Sequence, residues 1–203
     1  MRKAIAILFL LLMGLPILLA AQDSDDPWLN PDWDYYFDEF SRGDQTFIIS
    51  LGTVFPTVFR NNKQTIDHKF SPPVGGTGSL TYNYYFNSSI FIGAEAGGMF
   101  LPTLGGNTLF IIPLGVRAGY QINYGRFEFP VTGVLGVTWH RYLSFGHFGL
   151  YMKCGLAGFY RVSPNWSFGL SSNWFFFPQW TNMRSENVYG NMIDLTLSAR
   201  YHF

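Results

Sequence analysis

Charge is scarce in this sequence of 203 residues: Asp, Glu, Lys and Arg together make 13% of it, about half the share usual in globular proteins. Cysteine is scarcer still. A single one, Cys154, excludes an intrachain disulfide, and no CxxC, HExxH or spaced Cys/His set is present, so neither a structural metal nor a cofactor is expected. The formal net charge is zero, and no nucleic-acid partner is expected. Beyond the first twenty or so residues no run of about 18 apolar residues occurs, which excludes a further membrane helix. Aromatic residues are abundant instead, at 19%, with 21 Phe and 12 Tyr. Many rings and few charges suit a surface that faces something apolar.

The first residues follow a secretory pattern. A basic start, Arg2 and Lys3, leads into the apolar run "AIAILFLLLMGLPILLA", which Gly14 and Pro16 break, and then into the small residues of "LAAQ". This layout predicts a signal peptide over 1–21, cleaved after Ala21. The alternative, an uncleaved membrane helix, fits the run's length but not the acidic, structure-breaking sequence directly after it. No Cys stands near the cleavage point, so a lipoprotein is not expected. Charge is unevenly placed in the remainder: residues 22–45 carry eight acids and one base, Arg42, whereas residues from 46 onward carry ten bases and five acids. The organisation expected is a signal peptide (1–21), an acidic aromatic segment (22–45) and one domain (46–203).

Alternation of apolar and polar residues dominates that domain. In "IDLTLSARYHF", Ile193, Leu195, Leu197, Ala199, Tyr201 and Phe203 form one set and Asp194, Thr196, Ser198, Arg200 and His202 the other, the mark of a strand with one apolar and one polar face. Eight such strands are expected, at 46–55, 77–86, 90–101, 108–122, 126–138, 148–162, 166–177 and 191–203. Their connections alternate between long or irregular stretches ("RNNKQTIDHKFSPPVGG", "PTLGGN", "WHRYLSFGH", "PQWTNMRSENVYG") and tight turns ("NSS", "NYG", "SPN"). Long strands joined alternately by short turns and longer loops predict an eight-stranded antiparallel transmembrane β-barrel. An even strand count places both chain ends in the periplasm.

The placement of charge supports this fold class. When each apolar set is taken to face lipid, Glu95, Arg117, Glu128, Lys153, Arg161, Asp194, Arg200 and His202 all face inward, beside Ser79, Thr81, Asn83, Ser167, Ser171 and Asn173. An Arg or Lys facing lipid at the midplane would cost about 2–4 kcal/mol. Phe86, Tyr124, Tyr160, Trp166, Tyr201 and Phe203 gather at the turn side, and Phe100, Trp139, Phe176 and Trp180 at the loop side, as two aromatic girdles.

"GSLTYNYYFNSSIFIGAEAG" and "LFIIPLGVRAGYQI" resemble the second, third and fourth strands of small eight-stranded outer-membrane proteins, and "SLGTVFP" resembles the opening strand of the OmpW/OprG family. The OmpA/OmpX type is the second choice, because a balanced set of inner charges is more like its plugged interior. The resemblance covers most of 46–203. It implies outer-membrane lipid and the barrel-assembly machinery as partners, with Tyr201 and Phe203 as the terminal assembly signal. The OmpW/OprG resemblance also implies passage of small hydrophobic solutes. The segment "DSDDPWLNPDWDYYFDEF" matches neither type.

The candidate site is the lumen charge network of Glu95, Arg117, Glu128, Lys153, Asp194 and Arg200. Heights counted from the turns pair Glu95 with Arg117, Lys153 with Asp194 and Glu128 with Arg200; these pairs either satisfy one another or line a solute path. Inner glycines, among them Gly52, Gly93, Gly97, Gly115, Gly119, Gly155 and Gly169, leave room for a water-filled cavity. Pro56, Pro113 and Pro130 mark bulges, strand ends or local openings in the wall. His140, Ser144 and His147 lie near one another without an acid to orient a histidine, so no catalytic residue is expected. The basic first loop (Arg60, Lys63, Lys69) reads first as a solvated loop, with contact to an anionic glycolipid or host surface as the alternative. The reading that follows is a narrow channel for small hydrophobic solutes, with a non-conducting structural or surface-interaction barrel that meets host ligands as the alternative.

Overall fold

The computed structural model describes residues 40–61, 65–66, 74–102, 108–142, 145–179 and 188–203, all within one compact unit, Phe37–Phe203. The signal peptide expected at 1–21, most of the acidic segment, Lys63, Lys69, Ser144 and Trp180 lie outside the described residues. The strands are β1 (Gln45–Asn61), β2 (Thr65–Ile66), β3 (Gly75–Tyr85), β4 (Ile90–Pro102), β5 (Thr108–Tyr124), β6 (Phe127–Tyr142), β7 (Phe145–Ser163), β8 (Trp166–Gln179) and β9 (Val188–His202). Consecutive strands from β3 to β9 pair antiparallel, β1 pairs with β3, and β1 also pairs with β9. The sheet therefore closes on itself as an eight-stranded barrel, and β2 is a two-residue addition to the far end of β1.

Closure runs from Thr46↔His202 to Asn61↔Val188. Both the first described residues and the last residue of the chain lie at one end, with the turns 86–89, 125–126 and 164–165; this is the turn end, and the other is the loop end. Gly125, at φ +56°, takes the left-handed backbone that its two-residue turn requires.

Alternation becomes geometry along every wall strand. β5 reads Ile112 and Leu114 outward, Arg117 inward, Tyr120 outward. Leu135, Leu197 and Leu51 are each about two-thirds exposed, a state that hydrocarbon covers and water does not favour. Arg141, near the loop end, is the one charge among the described strand side chains on the outer face. Phe86, Tyr124 and Phe203 stand exposed at the turn end and Phe100 toward the loop end, as the girdles require.

The prolines behave as ladder breaks. At Pro56 the β1–β9 register shifts by one residue, and the extra residue, Thr57, donates its hydroxyl to the Asn191 carbonyl at 2.9 Å. The bulge lets β1 continue six residues past the expected end at Phe55. Pro113 sits where the β4–β5 ladder lapses, between Ala96↔Leu114 and Met99↔Ile111. Pro130 sits where β6–β7 lapses, between Glu128↔Phe159 and Val131↔Leu156.

One connection differs from expectation. Within "WHRYLSFGH" β6 and β7 stay paired out to Tyr142↔Phe145, with His140 opposite His147. Its polar residues read as a loop, yet His140 continues the inward polar set of β6. The contrast of short turns with longer loops is therefore weaker than the sequence predicts.

Because Leu135 lies on the outer face between Val116 and Met152, Leu135→Arg should lower stability by about 2–4 kcal/mol, measured by urea unfolding of the lipid-embedded barrel. Leu135→Ile should leave the midpoint nearly unchanged, and equal midpoints for both variants would refute the lipid-facing assignment.

Candidate functional site

The interior is filled in three layers. At the turn end, Arg200 is fully buried. Its Nη1 donates to Glu128 Oε2 at 2.8 Å and to Gln121 Oε1 at 3.3 Å, while its guanidinium lies 3.9 Å from the Phe159 ring centroid. Glu128 Oε1 also faces Arg161 Nε at 3.8 Å, and Ser167 donates to Glu128 Oε2 at 3.4 Å. The Ser167 hydroxyl lies 2.7 Å from His202 Nε2. One carboxylate thus holds two guanidinium groups from β7 and β9.

In the middle layer, Glu95 binds Arg117 at 3.4 Å and, through its other oxygen, Lys153. Glu95 projects from β4 and Lys153 from β7, so this ion pair crosses the lumen. Asp194 accepts from Asn173 Nδ2 at 2.6 Å. Ser50 and Ser198 meet at 2.8 Å, and Ser171 joins Ser198 at 3.2 Å. The space among these side chains is about 20 Å³, room for a water or two.

The layer toward the loop end is apolar. Val54, Met99, Leu101, Ile111, Val134, Tyr151, Phe175, Phe177 and Met192 pack into one buried cluster. Tyr151 stacks on Phe175 with ring centroids 5.0 Å apart, Phe175 meets Phe177 at 5.7 Å, and the His140 ring approaches Phe177 at 5.3 Å.

Of the expected pairs, Glu95–Arg117 and Glu128–Arg200 are present. Lys153–Asp194 is not: Lys153 goes to Glu95 instead. Counting residues from a turn fixes a height along one strand, but strand tilt and stagger offset those heights around the barrel. Arg161, read as inward from the sequence but left outside the network, belongs to it. The inner glycines do not leave an open cavity. A Cβ at Gly119 would strike the ring of Phe91, and one at Gly155 would strike the amide of Asn173; the glycines make room for large inner side chains.

His140 is buried inside the barrel, so it is not a partner for a hydrolytic site on an outer loop. Tyr201 and Phe203 meet edge to face at 4.9 Å on the outer wall, with Trp166 against Tyr201 at 5.0 Å. The apolar layer is the part that sequence reasoning missed. Its signal was present in "MFL", "LFII" and "WFFF", where alternation gives way to continuous apolar residues, as in strands buried on both faces.

Removing one member of a buried pair leaves its partner charge uncompensated, at a cost of about 3–5 kcal/mol. Arg200→Met should therefore destabilise strongly, and Arg200→Met with Glu128→Gln should recover much of the loss. Urea unfolding of the two single variants and the double variant checks this; additive losses would show that the pair is not coupled.

A protein-family model matches residues 24–201, a span that includes most of the acidic aromatic segment. Two proteins of Treponema pallidum (strain Nichols), each described as an uncharacterized protein, are similar in sequence. One is 30% identical over 95 residues, 47% of this chain and 43% of its own length. The other is 23% identical over 160 residues, 70% of this chain and 53% of its own; the chain spans about half the length of the curated relatives it matches. Among solved structures, Neisserial surface protein A (NspA) superposes with a TM-score of 0.60 at 11% identity, covering 81% of this chain and 100% of that one. Ail, the attachment invasion locus protein of Yersinia pestis, gives 0.51 at 13% identity, covering 80% and 99%. OprG from Pseudomonas aeruginosa gives 0.47 at 12%, covering 80% and 97%. The chain belongs to the family whose model spans residues 24–201, and its fold is that of the small eight-stranded outer-membrane β-barrels.

Proposed function

We propose that this protein is a non-conducting outer-membrane barrel that acts through its exposed ends rather than through its lumen. The observation that carries this reading is the Glu95–Lys153 ion pair spanning the interior, with the apolar cluster between it and the loop end. An eight-stranded wall is just wide enough for its own side chains to fill it, and here they do. The turn end, where the acidic segment runs into β1, faces the periplasm, and the loop end faces outward. There the ladders β8–β9 and β9–β1 continue to Gln179↔Val188 and Asn61↔Val188, building a rim on which host or envelope ligands can dock. The likeness to an attachment invasion locus protein is consistent with such a surface role. Outer-membrane lipid surrounds the wall, and the barrel-assembly machinery reads the Tyr201 and Phe203 strand as its client signal. No catalytic role is assigned.

A second reading has its own support. The ladder lapses at Pro113 and Pro130 weaken the wall locally, which suits sideways passage of small hydrophobic solutes into lipid without an ion path. The two readings part in a paired assay. In a planar bilayer the protein should give no discrete conductance steps, and neither should Lys153→Ala, because the apolar layer remains. Steps in the parent protein would overturn the proposal. Uptake of a small hydrophobic solute into proteoliposomes above the protein-free rate, with the bilayer still silent, would establish the second reading.

A further inference from the structure

Phe40 precedes the first strand, at the end of the acidic aromatic segment, yet it is 5% exposed. A tight turn puts it there. The Asp44 carboxylate accepts from the Ser41 N–H at 2.8 Å and from its hydroxyl at 3.1 Å, an arrangement that fixes short reversals. Gly43 takes φ +104°, a conformation that side-chain-bearing residues rarely adopt. The turn is then tied to β3: the Gly43 N–H donates to the Tyr85 carbonyl at 3.0 Å, and the Tyr85 N–H donates to the Asp44 carbonyl at 2.9 Å.

So reversed, the Phe40 ring enters the turn-end mouth and finds a made-up pocket. It stacks on Tyr85 of β3 with centroids 4.0 Å apart and planes within 8°. It lies 5.4 Å from the His202 ring of β9, and the Arg161 guanidinium of β7 sits 5.6 Å from its centroid. Tyr85 leans in turn on Phe91 at 5.2 Å, and Arg161 reaches His202 Nδ1 at 3.4 Å. These three strands come from the beginning, middle and end of the domain. No two of them are neighbours in the wall, so the pocket exists only once the sheet is curved and shut.

We propose that Phe40 is a clasp for the closed barrel: it engages after β9 has paired with β1, and it holds that closing seam against opening. The seam joins the first and last strands of the barrel, so its loss separates segments about as far apart in sequence as the domain allows, and it is the ladder most in need of a lock. Stacked rings and a desolvated cation over an aromatic face supply a favourable, geometry-dependent contact there. The inference stands whether or not the lumen conducts.

Hydrogen exchange on the chain as isolated from membranes tests it, comparing the parent protein with Phe40→Ala. Amides of 45–50 and 198–202 should exchange on the order of tenfold faster in the variant, while those of the β5–β6 ladder keep their parent rates. Phe40→Leu keeps apolar bulk without the ring and should show the same pattern at smaller size; it is the variant to read if Phe40→Ala does not assemble. Unchanged exchange at the seam, or equal acceleration in every ladder, would overturn the clasp.

Discussion

In hydrocarbon a peptide group has no water to bond, and each N–H or C=O left alone costs several kcal/mol, of about the size measured for polar transfer without a partner. The β1–β9 ladder answers that constraint for the whole sheet. Without it, two long edges would face lipid; with it, a strand of apolar and polar alternation can expose its rings and aliphatic chains outward while its charges turn in. The same closure sets the interior width, and the interior width sets which side chains can meet. The bulge at Pro56 and the lapses at Pro113 and Pro130 show how far the ladder can be interrupted while the wall stays shut.

What fills the enclosed space follows from its low polarisability. Glu95 serves two cations and Glu128 two more, with Ser167, Asn173 and Gln121 each adding one hydrogen bond to Glu128, Asp194 and Arg200 respectively. A buried charge kept in this way is weak evidence for stability and better evidence for a fixed arrangement of strands. The apolar layer beyond it packs as a soluble core would, although it sits inside a membrane barrel. Together the two layers place paired charges and packed rings across the interior.

Much of this was legible before any coordinates. Period-two alternation gave eight strands and their faces, because burial in lipid on one side and in a polar lumen on the other enforces it at nearly every position. The expected small outer-membrane barrel is the fold found. What escaped has physical causes. The sequence pairs Lys153 with Asp194 rather than Glu95 because height along a strand does not report stagger between strands. The stretch around His140 read as a loop because polar residues look the same whether they meet water or a lumen. Phe175 and Phe177 were hidden by apolar residues on both faces, where alternation carries no signal. Phe40 belonged to a segment with no strand pattern, and its role depends on a turn whose partners, Tyr85 and His202, lie at opposite ends of the domain in sequence.

The central claim is closure of β1 on β9 in the observed register, and Ser50 and Ser198 report it directly, since their hydroxyl oxygens lie 2.8 Å apart inside the barrel. With Cys154→Ser as background, Ser50→Cys combined with Ser198→Cys should form an intrachain disulfide on oxidation, because such a pair lies within bridging reach. Ser50→Cys combined with Thr196→Cys, one inward position away, should not. Efficient bridging at 50 and 198 alone is the result this account predicts; no bridge there, or equal bridging at 196, would contradict it.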